Sequence, residues 1–378
     1  MPASAVIIVG GGAAGLSAAG AMARRGIDSV VLEQDAELGG SWARRYDRLH
    51  LHTMRGFSGL AHYAIPRRYP RYLSRDDVVA YLNEYARRLD LRIAAGTTVV
   101  RVRPNEGGWV VETAGGEPWR CAVVVVATGQ YRVPVLPAWP GREAYRGRLL
   151  HSASYANALT FRGERVLVVG AGNSGAEIAT DLAENGAACV ALSVRTPPTI
   201  VPRDPLGMPS QRTSILLSAL PPRIADWVGA ANVRLTIGDL ARSGMPTRRF
   251  TAFSTRRIPL IDVGFVDALR QGRVKVKPAL ERLSPEGALF ADGSGEPYDT
   301  IVAATGFTTG LASLIEAPGV LDEQGEPRGT AGEATAFPGL YFIGFTHSLR
   351  GHLFEANRAS RRLARNAERY LPASFGPP

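Results

Sequence analysis

Two short apolar strands that each run into a glycine-rich turn and a helix, and two later apolar strands that each end in Ala-Thr-Gly, predict an α/β fold. The expected architecture is a pair of Rossmann-like, doubly wound parallel-sheet units. The first strand, turn and helix cover residues 4–25, SAVIIVGGGAAGLSAAGAMARR, and the second begins at Phe161. One glycine turn is a weak signal, but two in a single chain are a strong one.

Length and composition set the frame. A chain of 378 residues can hold two cores, and it contains no apolar run long enough to span a bilayer. Its N-terminus enters a strand within four residues, which leaves no room for a leader and makes a cytoplasmic location the expectation. The formal net charge is +10, yet Lys275 and Lys277 are the only lysines and the arginines fall in ones and twos. This pattern fits a compositional bias plus affinity for phosphorylated cofactors, so neither nucleic acid nor membrane is expected as a partner. Cys121 and Cys189 lie in apolar strands without a CxxC spacing and read as core thiols.

In chain order, the strand from Ala5 to Val9 has no polar interruption and leads into Gly10, Gly12 and Gly15. Gly10 permits the turn, Gly12 lets backbone approach a pyrophosphate, and Gly15 lets the helix lie close to the strand. Ala14 sits in the first turn of that helix, where free amides and the helix dipole attract an anion. A second strand, Asp28 to Leu32, ends at Glu33, whose carboxylate suits two ribose hydroxyls and repels a 2′-phosphate. The first nucleotide is therefore FAD or NAD. The turn Gly39-Gly40-Ser41-Trp42 joins the candidate set through Gly40, Ser41 and Trp42, the plainer alternative being a surface turn.

The stretch 42–69 is loop-rich and holds His50, His52 and His62, but no carboxylate or cysteine completes a metal set, so packing is expected and metal is not. Ser74 caps a helix to about Arg88. Strands are expected at 97–103, which carries the candidate Val99, at 109–113 and at 117–126. The last of these runs into Ala127-Thr128-Gly129, adding Thr128 and Gly129 to the candidates.

A strand from Phe161 to Val169 then leads into Gly170-Ala171-Gly172-Asn173-Ser174-Gly175 and a helix from Ala176 to Asn185. Gly170, Gly172, Asn173, Ser174 and Gly175 form the second phosphate cradle. The next strand, Ala188 to Val194, ends in Arg195 where the first unit has Glu33, and an arginine there suits the 2′-phosphate of NADPH. Arg203 and Arg212 are near enough in sequence to assist. Residues 197–257 break the regularity and read as helices over a substrate cleft. A helix from Asp262 to Gln271 and strands at 273–277 and 289–292 follow. Thr300 to Ala304 ends in a second Ala-Thr-Gly, which adds Thr305 and Gly306. A domain begun at residue 1 is thus read as interrupted by an inserted one and then resumed. Gly344 follows a strand at 339–343, and residues 351–354 open a helix to Tyr370. Its N-terminus either faces a flavin carbonyl or starts a docking helix.

These features together with Tyr145-Arg146-Gly147-Arg148-Leu149-Leu150-His151 and Tyr155 resemble a class B flavin-containing monooxygenase, whose linker reads FxGxxxHxxx then Tyr or Phe; here Tyr145 replaces the leading Phe. The runs YDRLHLHT, VLVVGAGNSGAEIATDL, PLIDVGFVDAL and GFT are most similar to the YUCCA-type branch and its bacterial relatives. Tyr155-Ala156 departs from the Trp-Pro or Trp-Asp of Baeyer–Villiger relatives.

The resemblance implies the glutathione-reductase-like plan, with an FAD domain at 1–155 and 293–378 and an NADPH domain at 156–292. It implies hydride transfer from NADPH to FAD, addition of O2, and transfer of one oxygen from a C4a-(hydro)peroxyflavin to a small amine, sulfide or 2-oxo acid. His52 falls where many relatives carry an asparagine that holds NADP+ and the peroxide. As a neutral imidazole it would donate one bond there, the alternative being a packed loop histidine. The remaining readings are an NADPH-dependent flavin reductase or oxidase without oxygen transfer, to which the absent CxxC is adverse, and a non-catalytic nucleotide sensor. A homodimer is compatible with all three.

Overall fold

The computed structural model describes residues 2–246 and 248–371. It divides into two units: Met1–Ala43, Thr53–Val133 and Phe307–Pro378 form the first, and Arg44–His52 with Pro134–Gly306 form the second.

The first unit is built on a five-stranded parallel sheet with Val6–Val9 at its centre. Ser29–Leu32 and Ile93–Ala94 lie to one side, and Val123–Val126 and Leu340–Phe342 to the other. Alternate side chains enter different cores. Val6, Ile8, Val123 and Val125 pack with Ala18 and Met22 of the helix Ala13–Ala23 and with Ala359 and Leu363 of the helix His352–Tyr370. Ile7, Val9, Val124 and Val126 pack on the other face, with Val102, Trp109 and Val111 of the antiparallel strands Val99–Asn105 and Gly108–Thr113. Burial on both faces is why these strands carry no polar alternation. The helix Arg75–Arg88 has a reciprocal cap, in which Asp77 N–H donates to Ser74 Oγ at 3.1 Å and Ser74 N–H to Asp77 Oδ2 at 3.0 Å.

The second unit repeats the plan. Arg165–Val169 is its central strand, with Cys189–Ser193 and Val274–Lys277 on one side and Thr300–Ala303 and Arg148–His151 on the other. An antiparallel meander, Leu280–Ser284, Gly287–Phe290 and Gly295–Pro297, covers one face through Leu283, Phe290 and Tyr298. The helix Asn173–Glu184 covers the other through Ile178 and Leu182.

Three expectations are corrected. Thr300–Ala303 completes the second sheet, not the first, and Arg148–His151 is that sheet's edge, so the first unit resumes at Phe307 rather than at residue 293 and leaves off at Val133 rather than at residue 155. The strand foreseen at 117–126 is two: Trp119–Cys121 pairs with Gly108–Thr113 in the first unit's antiparallel sheet, and Val123–Val126 joins the parallel sheet. The strand foreseen from Phe161 begins only at Arg165, because Gly163 adopts φ +75° and Ala158–Phe161 is a 3-10 turn. Cys121 is buried as expected, whereas Cys189 is half-buried.

Candidate functional site

In the first unit the turn after Val9 has the geometry of a phosphate cradle. Gly10 has φ +106°, and a Cβ on it would stand 2.7 Å from the Ala127 carbonyl oxygen. A Cβ on Gly15 would lie 1.9 Å from the carbonyl oxygen of Gly10, so neither position admits alanine without displacing backbone. Gly12 faces open space, with nothing within 4 Å of where its Cβ would be. Glu33 reaches back to this turn: Gly11 N–H donates to Oε2 at 2.5 Å and Asp35 N–H to Oε1 at 2.9 Å. Its carboxylate is therefore held at the rim with lone pairs to spare for a diol.

Two polar atoms beside this cradle, Thr128 Oγ1 and Gln130 Oε1, are buried without a partner among the described residues. Buried polar atoms are rarely left so, and both fit a ligand that supplies hydrogen bonds. Gly129, at φ +82°, continues the same turn. Gly344, at φ +88°, approaches the first helix so closely that a Cβ would be 2.7 Å from that of Ala14. Gly40, Ser41 and Trp42 lie in a single helical turn, Gly40–Ala43, and Val99 is a core residue at the start of its strand. The helix His352–Tyr370 carries Glu355 in its first turn, where it accepts from Ser348 Oγ and Arg350 Nε at 2.7 Å each.

The second unit reproduces the cradle. Gly170 has φ +113° with its Cβ direction 2.5 Å from the Ala304 carbonyl oxygen, Gly175 abuts Gly170, and Gly172 again faces open space. Each Ala-Thr-Gly turn thus buttresses the glycine turn of its own unit, which places Thr305 and Gly306 with the second cradle. Their polar groups are spent internally, unlike Thr128: Thr305 Oγ1 donates to the Val135 carbonyl, and the Gly306 carbonyl meets His151 Nε2 at 3.0 Å.

A cleft of about 180 Å³ opens at this turn. Gly172, Asn173, Thr196, Arg248, Thr251 and Arg257 are among its walls. Asn173 ties its amide to the facing segment, Oδ1 accepting from Ile261 N–H at 2.7 Å and Nδ2 donating to the Pro259 carbonyl at 3.2 Å. It fastens the glycine turn to the opposite wall. Arg195 follows the second strand, exposed and in no ion pair among the described residues, immediately before the lining residue Thr196. Arg248 and Arg257 fall in the stretch 197–257, which reads only as helices over a cleft, since the fold alone brings them to this turn. Arg203 is instead engaged with Asp204, at 3.7 Å.

The helix after the second cradle presents an acidic stripe, Glu177, Asp181 and Glu184, to the segment Arg44–His52 and to Tyr155. His52 Nε2 lies 2.6 Å from Glu177 Oε1, and Glu177 is only 3% exposed. Tyr155 donates to Asp181 Oδ2 at 2.6 Å, and Arg48 pairs with Glu184 and donates to the Val263 carbonyl at 3.1 Å. Tyr46 bonds Ser174 and Glu177, and burial chiefly, then the Glu177 charge, pushes its hydroxyl well above the usual range. A carboxylate only accepts, so His52 Nε2 carries a proton, and Nδ1 has no protein partner among the described residues. This corrects the expected role of the ring: neutral His52 offers an acceptor at Nδ1, and only the protonated ring has a second donor. His50 Nδ1 turns to the Arg48 carbonyl at 2.8 Å. No described helix is long and apolar enough to cross a membrane.

Comparison with known proteins places this geometry. The sequence model of flavin-binding monooxygenase-like proteins matches residues 3–320. Indole-3-pyruvate monooxygenase YUCCA1 of Oryza sativa subsp. japonica is 34% identical over 90% of this chain and 86% of its own length. Indole-3-pyruvate monooxygenase YUCCA6 of Arabidopsis thaliana is 33% identical over 93% and 88%. Among solved structures, a mutant flavin monooxygenase from Stenotrophomonas maltophilia superposes with a TM-score of 0.76 at 26% identity, covering 98% of this chain and 100% of its own. OTEMO in complex with FAD and NADP shares the fold, with a TM-score of 0.73 at 19% identity over 97% and 86% of the two chains.

Proposed function

Because the chain belongs to the flavin-binding monooxygenase-like family, we propose that this flavin-dependent monooxygenase binds FAD at the Gly10 turn, draws electrons from NADPH at the Gly170 turn, and oxygenates an aryl-bearing 2-oxo acid. One observation carries the cofactor reading. The two cradles have the same backbone and opposite charges at the end of the second strand, Glu33 held against Gly11 in one and an unpaired Arg195 in the other. The open space at Gly12 and Gly172 and the unpartnered Thr128 and Gln130 fit a dinucleotide in each unit.

When bound, the reduced flavin activates O2, one atom of which goes to the substrate and the other to water. The protein's own part is to bind, orient and exclude water. Glu33 takes the adenosine diol of FAD, Arg195 with Arg248 or Arg257 takes the 2′-phosphate of NADPH, and Asn173 keeps the cleft wall in place. His52, clamped by Glu177, is assigned as a hydrogen-bonding group for the bound reactants. Two YUCCA relatives that match nearly the whole chain are indole-3-pyruvate monooxygenases, which favours an arylpyruvate over an amine or thioether. The balanced reaction converts the 2-oxo acid, O2, NADPH and a proton to the acid one carbon shorter, CO2, water and NADP+.

The test incubates the yellow protein with NADPH in air and a panel of arylpyruvates, amines and thioethers, and scores products by mass. A shortened acid carrying one oxygen from labelled O2 is expected; hydrogen peroxide as the sole product from every substrate overturns the reading. For the second cradle, Arg195→Ala should raise the KM for NADPH about tenfold or more and leave that for NADH nearly unchanged, because a charge-assisted contact to the phosphate is lost. An unaltered preference removes Arg195 from the site.

A further inference from the structure

The helix Pro222–Thr236 turns Ala225, Gly229 and Val233 inward and leaves a second apolar face uncovered. Its buried side carries Asp226, which accepts from the N–H groups of Phe253 and Ser254, at 2.8 and 3.2 Å, and from the Ser254 hydroxyl. Its outward side is apolar. Ile224, Trp227, Ala231 and Leu235 follow the i, i+3, i+7, i+11 spacing that puts them on one face. Trp227 is 73% exposed and Leu235 86%, and Leu216 and Leu220 just before the helix are exposed as well. Large apolar side chains scattered singly over a surface need no explanation, whereas a ridge of them on one helix face does.

The charge around this ridge is one-sided. Residues 208–257 hold eight arginines against two aspartates, so six of the ten net positive charges of the chain fall in fifty residues. Both aspartates are occupied by backbone amides, Asp226 as described and Asp239 by Ala241 N–H at 2.8 Å. Arg223 and Arg234 flank the ridge on the same helix, and neither is in an ion pair among the described residues. Two of the eight arginines, Arg248 and Arg257, line the nucleotide cleft, and the two that stand beside the apolar ridge are Arg223 and Arg234.

We propose that this face docks on the surface of an anionic phospholipid bilayer, with the ridge entering the headgroup boundary and the arginines meeting lipid phosphates. An exposed apolar stripe flanked by unpaired cations is the pattern of interfacial helices, which lie in the membrane plane without crossing it. A second copy of the chain would bring like charges together. A nucleic acid would use the arginines but could stack only on Trp227 of the ridge.

The test uses the FAD-loaded full chain and vesicles of phosphatidylcholine with or without phosphatidylglycerol, read by co-flotation at low and high salt. Binding is expected only to the anionic vesicles, weakened by salt. Trp227→Ser with Leu235→Ser should cut it at least about tenfold. Arg223→Gln with Arg234→Gln should cut it about twentyfold. Flavin content and NADPH oxidation without lipid should match the parent in both variants, which separates lost docking from misfolding. Binding to neither vesicle, equal binding to both, or indifference to both double variants overturns the proposal. A dimer that the ridge variant converts to monomer, without lipid binding, assigns the face to a second copy instead, and salt-sensitive binding to an oligonucleotide alone assigns it to nucleic acid.

Discussion

Glu177 and His52 meet through one short contact, so the roles proposed for them should fall together in experiment. Removing the imidazole leaves the buried Glu177 carboxylate with Tyr46 alone, so His52→Gln is the informative variant, because its amide nitrogen stands where Nε2 does and still donates to Glu177. His52→Gln and Glu177→Gln should each raise the peroxide released per NADPH several-fold, and the double variant should be no worse than the poorer single one. Additive losses would mean that the two side chains do not work together.

A second histidine gives a pH prediction. Burial foremost, and then the His347 charge, hold His352 below its ordinary value of 6.5, against opposing effects of Glu355 and the Thr346 backbone. The folded ring thus takes up its proton later than the unfolded one as pH falls. Its contribution to stability is complete above 6.5 and is lost on acidification. The thermal midpoint should drop from neutral pH to about 5.5, and His352→Gln should flatten that drop.

At the scale of elements, the phosphate turns depend on side chains that ligate nothing. Asn173→Ala leaves Ile261 N–H and the Pro259 carbonyl without their partners, so the cleft wall should loosen. KM for NADPH should rise about tenfold with the thermal midpoint lowered only slightly, as measured by initial rates and calorimetry. The two turns themselves were readable from sequence, because strand, glycine and helix follow one another within some twenty residues and each obeys a local steric rule. The positions of Glu33 and Arg195 just after the second strand of each unit were readable for the same reason. The use of Asn173 was not, since its partners lie more than eighty residues away. Thr305 and Gly306 were placed in the wrong unit because the residues of a strand do not say which sheet will pair with them: Thr300–Ala303 is buried throughout, as Val123–Val126 is, but aligns with Arg165–Val169. His52 was singled out by its motif, but its tautomer depends on a carboxylate that the chain delivers from residue 177.

At the scale of the molecule, the nine residues Arg44–His52 leave the first unit and lodge in the second. A fragment of residues 134–306 would retain the Tyr155–Asp181 bond but leave Glu177 and Glu184 without His52, Tyr46 and Arg48. Adding a synthetic 44–52 peptide should raise the fragment's melting midpoint by roughly 10 °C, since an uncompensated buried carboxylate is relieved. No change would show that the excursion is an ornament of the second unit.

The two sheets have the same strand layout but reach it by cyclically shifted routes. In the second unit the outer strand Arg148–His151 precedes the central one, whereas in the first the corresponding strand, Leu340–Phe342, arrives after everything else. On the ribosome the consequence is unequal. The later-encoded unit has its whole sheet in hand by residue 306, while the earlier-encoded one must wait for the final strand and the helix that pack behind its opening βα turn. The flavin site proposed at the Gly10 turn is therefore completed last, although its residues are the first to leave the exit tunnel.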